Sequence, residues 1–153
     1  MTSVADIQAD IDALRELADA LTRFRHAQRE VVERGDHEIE ITRASLEAKA
    51  SRWRSLLARR LAELAACQQA AAQEAAGGLA GCSAEAAAVA EAQDHLDHIR
   101  RWQQRVEEQA GAFRGVASRF RDLLDLDLPR TETHLRAIVG GLEASRRIQV
   151  AGS

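Results

Sequence analysis

Apolar positions recur along most of this chain at alternating steps of three and four residues, the spacing of a coiled-coil seam. Ile7, Ile11, Leu14, Ala18 and Leu21 open the pattern. It passes less cleanly through Phe24 or Arg25, Gln28 and Val32 to Gly35-Asp36. Ile39, Leu46, Ala50, Trp53, Leu57, Leu61 and Leu64 follow, and Cys67 leads into an Ala-rich stretch. The second half is cleaner, with Val89, Ala92, Leu96, Ile99, Trp102 or Gln103, Val106, Ala110, Phe113, Ala117, Phe120 and Leu124. Leu135, Ile138, Leu142 and Ile148 form a last amphipathic segment.

Punctuation divides this pattern. Ser3 with Asp6 makes a capping-box-like start, an acid replacing the usual Glu or Gln. Gly77-Gly78-Leu79-Ala80-Gly81 breaks the helix and lets the chain turn. Ser83 is a good N-cap for the next helix, with Glu85 in its first turn. Pro129 stops or kinks the helix near Asp127-Leu128. Arg146-Arg147 suit the C-terminal end of the last segment. The pattern predicts helices at about 4–34, 36–76, 84–127 and 130–148 in a single domain of 153 residues. The first two and the last two can each be continuous. Ile11, Ala18, Val32, Ile39, Leu46 and Trp53 share one heptad phase, so the stripe crosses Gly35 without slipping. That favours an all-α protein built on a long antiparallel helical hairpin, a coiled-coil-like elongated bundle. Folding at the glycines pairs residues whose numbers sum to about 155 in a chain rising 1.5 Å per residue. Trp53 then lies level with Trp102, and Phe120 opposite Gly35.

Composition narrows the seam. Hydrophobic residues are 46% of the chain, but many are alanine and aromatic residues are only 3%. Ala, Glu, Arg, Leu and Gln are strong helix formers, and clustered β-branched residues are lacking, so a sheet is not expected. The net charge of -3 argues against a basic nucleic-acid binder. Lys49 is the one lysine, and the Arg- and Ala-rich usage fits a GC-rich bacterial genome. No apolar run reaches the length of a membrane span. The first residues have neither a basic nor an apolar segment of a classical signal peptide. The expected location is therefore cytoplasmic, or exported without such a signal.

Three clusters carry candidate chemistry. His95 and His98 in Asp94-His95-Leu96-Asp97-His98 are three apart, so both can face one side of a helix and take a metal. The Glu-x-x-His pattern of dimetal bundles is absent, and flank histidines without metal are the expected reading. Arg52, Arg54, Arg59, Arg60, Arg100, Arg101 and Arg105 form a band at the level of the tryptophans. Glu47, Glu63, Glu107 and Glu108 lie near enough to neutralise it, which points to a salt-bridged surface with a possible basic patch at Arg52, Arg59, Arg60, Arg101 and Arg105. Cys67 and Cys82 flank the glycine break. The loop is long enough to retrace the helix end and bring them together, but free cysteines suit a cytoplasmic chain better. No nucleophile–base arrangement or phosphate-binding loop is found, so no enzyme activity and no cofactor are expected.

Two long helices joined by a turn, with Trp53-Arg54-Ser55 and no signal peptide, resemble the WXG100-type helical hairpins of bacterial type VII secretion. The tripeptide has Ser where the family has Gly, and no Tyr is present for the family's export motif. The resemblance implies a hairpin that commonly dimerises and serves a bacterial secretion or toxin-delivery system. The function expected is a non-enzymatic helical interaction module, acting as an adaptor, a chaperone-like partner or a structural component. The alternative is a metal- or ligand-binding bundle using His95 and His98. Its interaction or core residues would be Trp53, Trp102, Phe113, Phe120, Leu57 and Ile99. The partner would be another protein or a second copy, with Phe24, Phe113, Val116 and Phe120 spread too widely for one partner helix to cover.

Overall fold

A computed structural model describes residues 3–74 and 81–153. Helix α1 spans Val4–Gln73, α2 spans Ser83–Asp122, a π-helical segment follows at Leu123–Asp127, and α3 spans Leu128–Ala151. The described residues contain no strand, and the fold is the all-α antiparallel helical pairing that the stripe predicts. The break placed at Gly77–Ala80 lies outside the described residues. Gly81 and Cys82 make a single 3₁₀ turn, and α2 begins at Ser83 with Glu85 in its first turn. Contacts divide the chain into two units, one of residues 1–36 with 113–153 and one of 37–112.

The N-terminus of α1 is closed by the reciprocal cap read from the sequence. Asp6 N–H donates to Ser3 Oγ at 3.2 Å, and Ser3 N–H donates to Asp6 Oδ2 at 2.9 Å. These bonds hold the Asp6 carboxyl below its ordinary range, the backbone bond from Ser3 first and its hydroxyl second. Helix α1 continues through Gly35. A Cβ at Gly35 would lie 2.5 Å from Phe113 Cζ. The glycine thus weakens the helix by about 1 kcal/mol relative to Ala but makes room for a ring.

In the first unit the buried stripe is Ile11, Ala18 and Val32 on α1, facing Ala117, Leu124, Glu132 and Val139. Leu14, Leu21, Phe120, Leu135 and Leu142 are half-buried beside them. The π-helical segment explains one departure from the predicted stripe. Leu128 N–H bonds to Leu123 O, five residues back rather than four. Pro129 has no N–H to give and clashes with a regular preceding turn, and the wider turn accommodates it. The extra residue moves the seam by one position. Ile138 and Ile148, which continue the spacing from Leu124 without that insertion, are 40% and 72% exposed. Val139 is buried in place of Ile138, and Glu132 is the buried charged residue. Arg25 meets Glu132 with two bonds, Nε to Oε1 at 3.2 Å and Nη2 to Oε2 at 3.3 Å. Arg25, not Phe24, therefore occupies the seam, and Phe24 faces out.

In the second unit the buried residues are Ala50, Cys82, Val89, Ala92, Leu96, Ile99 and Ala110. Leu46, Trp53, Leu57, Leu64 and Cys67 are half-buried, whereas Leu61 is exposed. Cys67 and Cys82 form a disulfide, with Cα atoms 5.9 Å apart and a sequence separation of 15. The free-cysteine expectation is thus corrected. Cys82 sits at the start of α2 and Cys67 two turns before the end of α1, so the chain doubles back as the loop length allows.

The tryptophan pairing is also corrected. Trp53 stacks on His95, with centroids 3.9 Å apart, and Trp102 is 45% exposed. Gln103 takes the seam position and donates from Nε2 to Glu47 Oε2. Likewise Phe113, not Phe120, meets Gly35. Both partners differ from expectation by seven residues. At these two contacts the helices keep the phase read from the stripe but pair one heptad away from it, whereas Arg25–Glu132, Arg29–Asp125 and Asp19–Arg136 lie near the expected level. A seam of repeating apolar positions tolerates such a slip, because every apolar residue stays on the seam. The disulfide, the Trp53–His95 stack and the Arg43–Glu107 pair all belong to the observed register.

Candidate protein-interaction surface

The two edges of the first unit differ in chemistry. On one edge, residues that follow seam positions by one carry charges. Arg15 pairs with Glu143, and Arg121 with Asp36. Asp19 accepts from Arg136 at 3.3 Å, and Arg29 pairs with Asp125. Each exposed pair contributes about 0–1 kcal/mol. Together they identify this edge as one where α1 faces α2 and α3 across a charged rim.

The other edge is occupied by residues that precede seam positions by one. On α1 these are Leu17, Phe24 and Val31, spaced by seven. On α2 and α3 the large apolar ones are Val116, Leu123 and Ile138, with Arg119, Thr131 and His134 between them. All six apolar residues are exposed, Phe24 at 45% and Val116 at 61%. In an antiparallel pair the positions before the seam on both helices flank the same edge, and those after it flank the other. One edge is thus ion-paired and the other carries the large exposed apolar side chains. Beside the α1 column lies a second, Ala13, Ala20 and Ala27, also exposed. The two columns make a second stripe at steps of three and four, alongside the buried one. A helix with two such stripes is patterned for two neighbours, and the hairpin supplies one.

The candidate residues of the second unit separate into core and surface. Ile99 is buried, and Trp53 and Leu57 are half-buried. Phe113 and Phe120, in the first unit, are half-buried in its seam. Trp102 alone of the six named residues is exposed. Its indole Nε1–H donates to His98 Nε2 at 3.0 Å, and the Arg105 guanidinium lies 5.3 Å from the ring centroid. His95 is engaged by Trp53 and His98 by Trp102, so the two histidines do not converge on a common point. Among the described residues no three His, Cys, Asp or Glu side chains are grouped to hold a metal.

The arginine band is largely interleaved with acids. Arg54 pairs with Glu47 at 2.5 Å, Arg60 with Glu63 at 3.0 Å and Arg100 with Asp97 at 3.3 Å. The Arg54 bond holds the Glu47 carboxyl below its ordinary value. Arg43 grips Glu107 through both carboxylate oxygens, which raises the guanidinium further. Arg52, Arg59, Arg101 and Arg105 are exposed, and Arg60 is half-buried. Arg101 and Arg105 border a shallow groove around Trp102 with His98, Gln104 and Glu108.

Comparison of the chain with protein-family models, curated proteins and solved structures finds no match. The surface itself therefore carries the functional argument. Its main element, the second stripe on α1, was only partly read from the sequence, where Phe24 and Val116 stood out singly. The signal was present as Leu17-x-x-Ala20-x-x-x-Phe24-x-x-Ala27-x-x-x-Val31. It is masked by the buried stripe one residue away, since Ala18 and Leu21 fall within the same span. No described helix is long and apolar enough to cross a membrane.

Proposed function

We propose that the protein is a non-enzymatic helical interaction module, working through the apolar edge of its first unit. The observation that carries this reading is the repeated exposure of Leu17, Phe24, Val31, Val116, Leu123 and Ile138 on one edge. Large apolar residues left in water at regular spacing favour association, at about 25 cal/mol per Å² covered. The other edge is furnished with ion pairs instead, so the asymmetry is built into the unit. The role fits an adaptor, a chaperone-like partner or a structural component of a bacterial secretion or toxin-delivery system, as the WXG100-type resemblance implies. The Cys67–Cys82 disulfide supports an oxidising destination, because such bonds persist outside the reducing cytoplasm. Export from the cytoplasm is consistent with both.

The test is capture of a binding partner by the full chain with a photo-crosslinking residue at position 17. A specific adduct, lost when Phe24→Glu disrupts the edge, supports the reading. Absence of any adduct, to itself or to another protein, sinks it.

A further inference from the structure

From the pattern of the exposed stripe on α1 we infer that its occupant is a second copy of this chain, placed antiparallel across a two-fold axis beside Thr22. The inference rests on the interaction-module reading and names its partner. The exposed stripe runs Asp10, Ala13, Leu17, Ala20, Phe24, Ala27, Val31, Arg34, all on the surface. It covers about 36 Å of helix at 1.5 Å per residue. Its large side chains all fall in one column and its alanines in the other. Reversed end to end about residue 22, the stripe fits itself. Leu17 meets Ala27 of the second copy, Phe24 meets Ala20 and Val31 meets Ala13. Every large side chain is set against a methyl group, the alternation that close helix packing needs. At the two ends, Asp10 meets Arg34 of the second copy, so opposite charges close the interface.

The charges also select this register. A shift by one heptad in one direction sets Leu17 against Arg34 of the second copy, and in the other sets Asp10 against Ala27. Both leave a charge facing an apolar side chain. A foreign helix has no reason to match this reversal, whereas a second copy matches it by symmetry. The same axis, running across the hairpin, sets α2 and α3 against their own copies. Val116, Leu123 and Ile138 lie on the edge so covered. Four helices then surround a core that each pair leaves open.

The experiment is sedimentation equilibrium on the full oxidised chain at tens of micromolar, with helical content followed by circular dichroism. The wild-type chain is expected at twice its monomer mass. Phe24→Glu is expected to be monomeric with unchanged helicity, since the residue makes no seam contact. Asp10→Arg and Arg34→Asp are each expected to weaken the dimer about tenfold, roughly 1.4 kcal/mol, and the double swap to restore it. If Phe24→Glu loses its helical signal, the charge swap decides alone. A monomeric wild type, a dimer indifferent to Phe24→Glu in a folded variant, or a double swap that fails to restore pairing overturns the inference. A monomer that still captures another protein through position 17 overturns self-pairing while the interaction-module reading stands. A monomer that captures nothing defeats both.

Discussion

Reducing the Cys67–Cys82 bond should destabilise the protein by an amount set by the loop it closes. The bond spans 15 residues of sequence. Constraining a loop of that size in the unfolded chain is worth about 3 kcal/mol. For a chain of this length, that corresponds to a fall of roughly 6–12 °C in the thermal midpoint. The bond also pins α2 to α1 at one level, so reduction frees the neighbouring turns to slide. The assay is thermal unfolding followed by circular dichroism, with and without a phosphine reductant, on protein whose free thiols have been counted. Cys67→Ala/Cys82→Ala serves as the control and should be insensitive to reductant. Its midpoint should match that of the reduced wild type, apart from the small loss of packing at buried Cys82. Two results would refute the reasoning. One is an unchanged midpoint on complete reduction, and the other is a pair of free thiols in protein recovered under oxidising conditions.

Three further outcomes follow from particular contacts. Gly35→Ala should be destabilising by about 1–2 kcal/mol in urea unfolding, because displacing the Phe113 ring outweighs the gain of about 1 kcal/mol in helix propensity. The same change at Gly140, where a Cβ meets nothing within 4 Å, should stabilise, and Phe113→Leu should rescue Gly35→Ala. If both glycines respond alike, the Gly35–Phe113 approach is wrong. Arg25→Ala should cost about 3 kcal/mol by stranding the Glu132 carboxylate, whereas Arg25→Leu/Glu132→Leu should be near neutral or stabilising. Equal losses in the single and double variants would contradict the pairing. The Asp6 cap stabilises the folded state above the ordinary aspartate range, because its folded pKa is lowered, and that contribution is lost as pH falls through the lowered value. An NMR titration should show Asp6 titrating below ordinary aspartates, and Ser3→Ala, which keeps the backbone donor, should remove only the smaller hydroxyl part of the shift. A normal value in the wild type would rule the cap out.

The seam was legible because heptad spacing reports directly on which face is buried. Ile11, Ala18, Val32, Leu96, Ala110 and Leu124 were placed on it and are buried. The level at which the helices pair was not legible, because a seven-residue slip preserves that spacing. Trp53 meets His95 rather than Trp102 for this reason, and Gly35 meets Phe113 rather than Phe120. Pro129 announced a disturbance but not its form. A kink would have kept Ile138 on the seam, whereas the π-helical turn brings Val139 there. The disulfide depended on how the chain returns after α1, which spacing alone leaves open. The exposed edge was half-read, since Phe24 was weighed as a member of the first stripe rather than of a second.

The central claim is that Phe24 works at an interface while its helix neighbours on the solvent face do not. Benzoylphenylalanine placed at position 24 in the full chain, with position 30 as the control, tests it most directly. A discrete cross-linked species with the mass of two chains is expected from position 24, and none from position 30. Equal labelling at both positions, or no species from position 24, would contradict it.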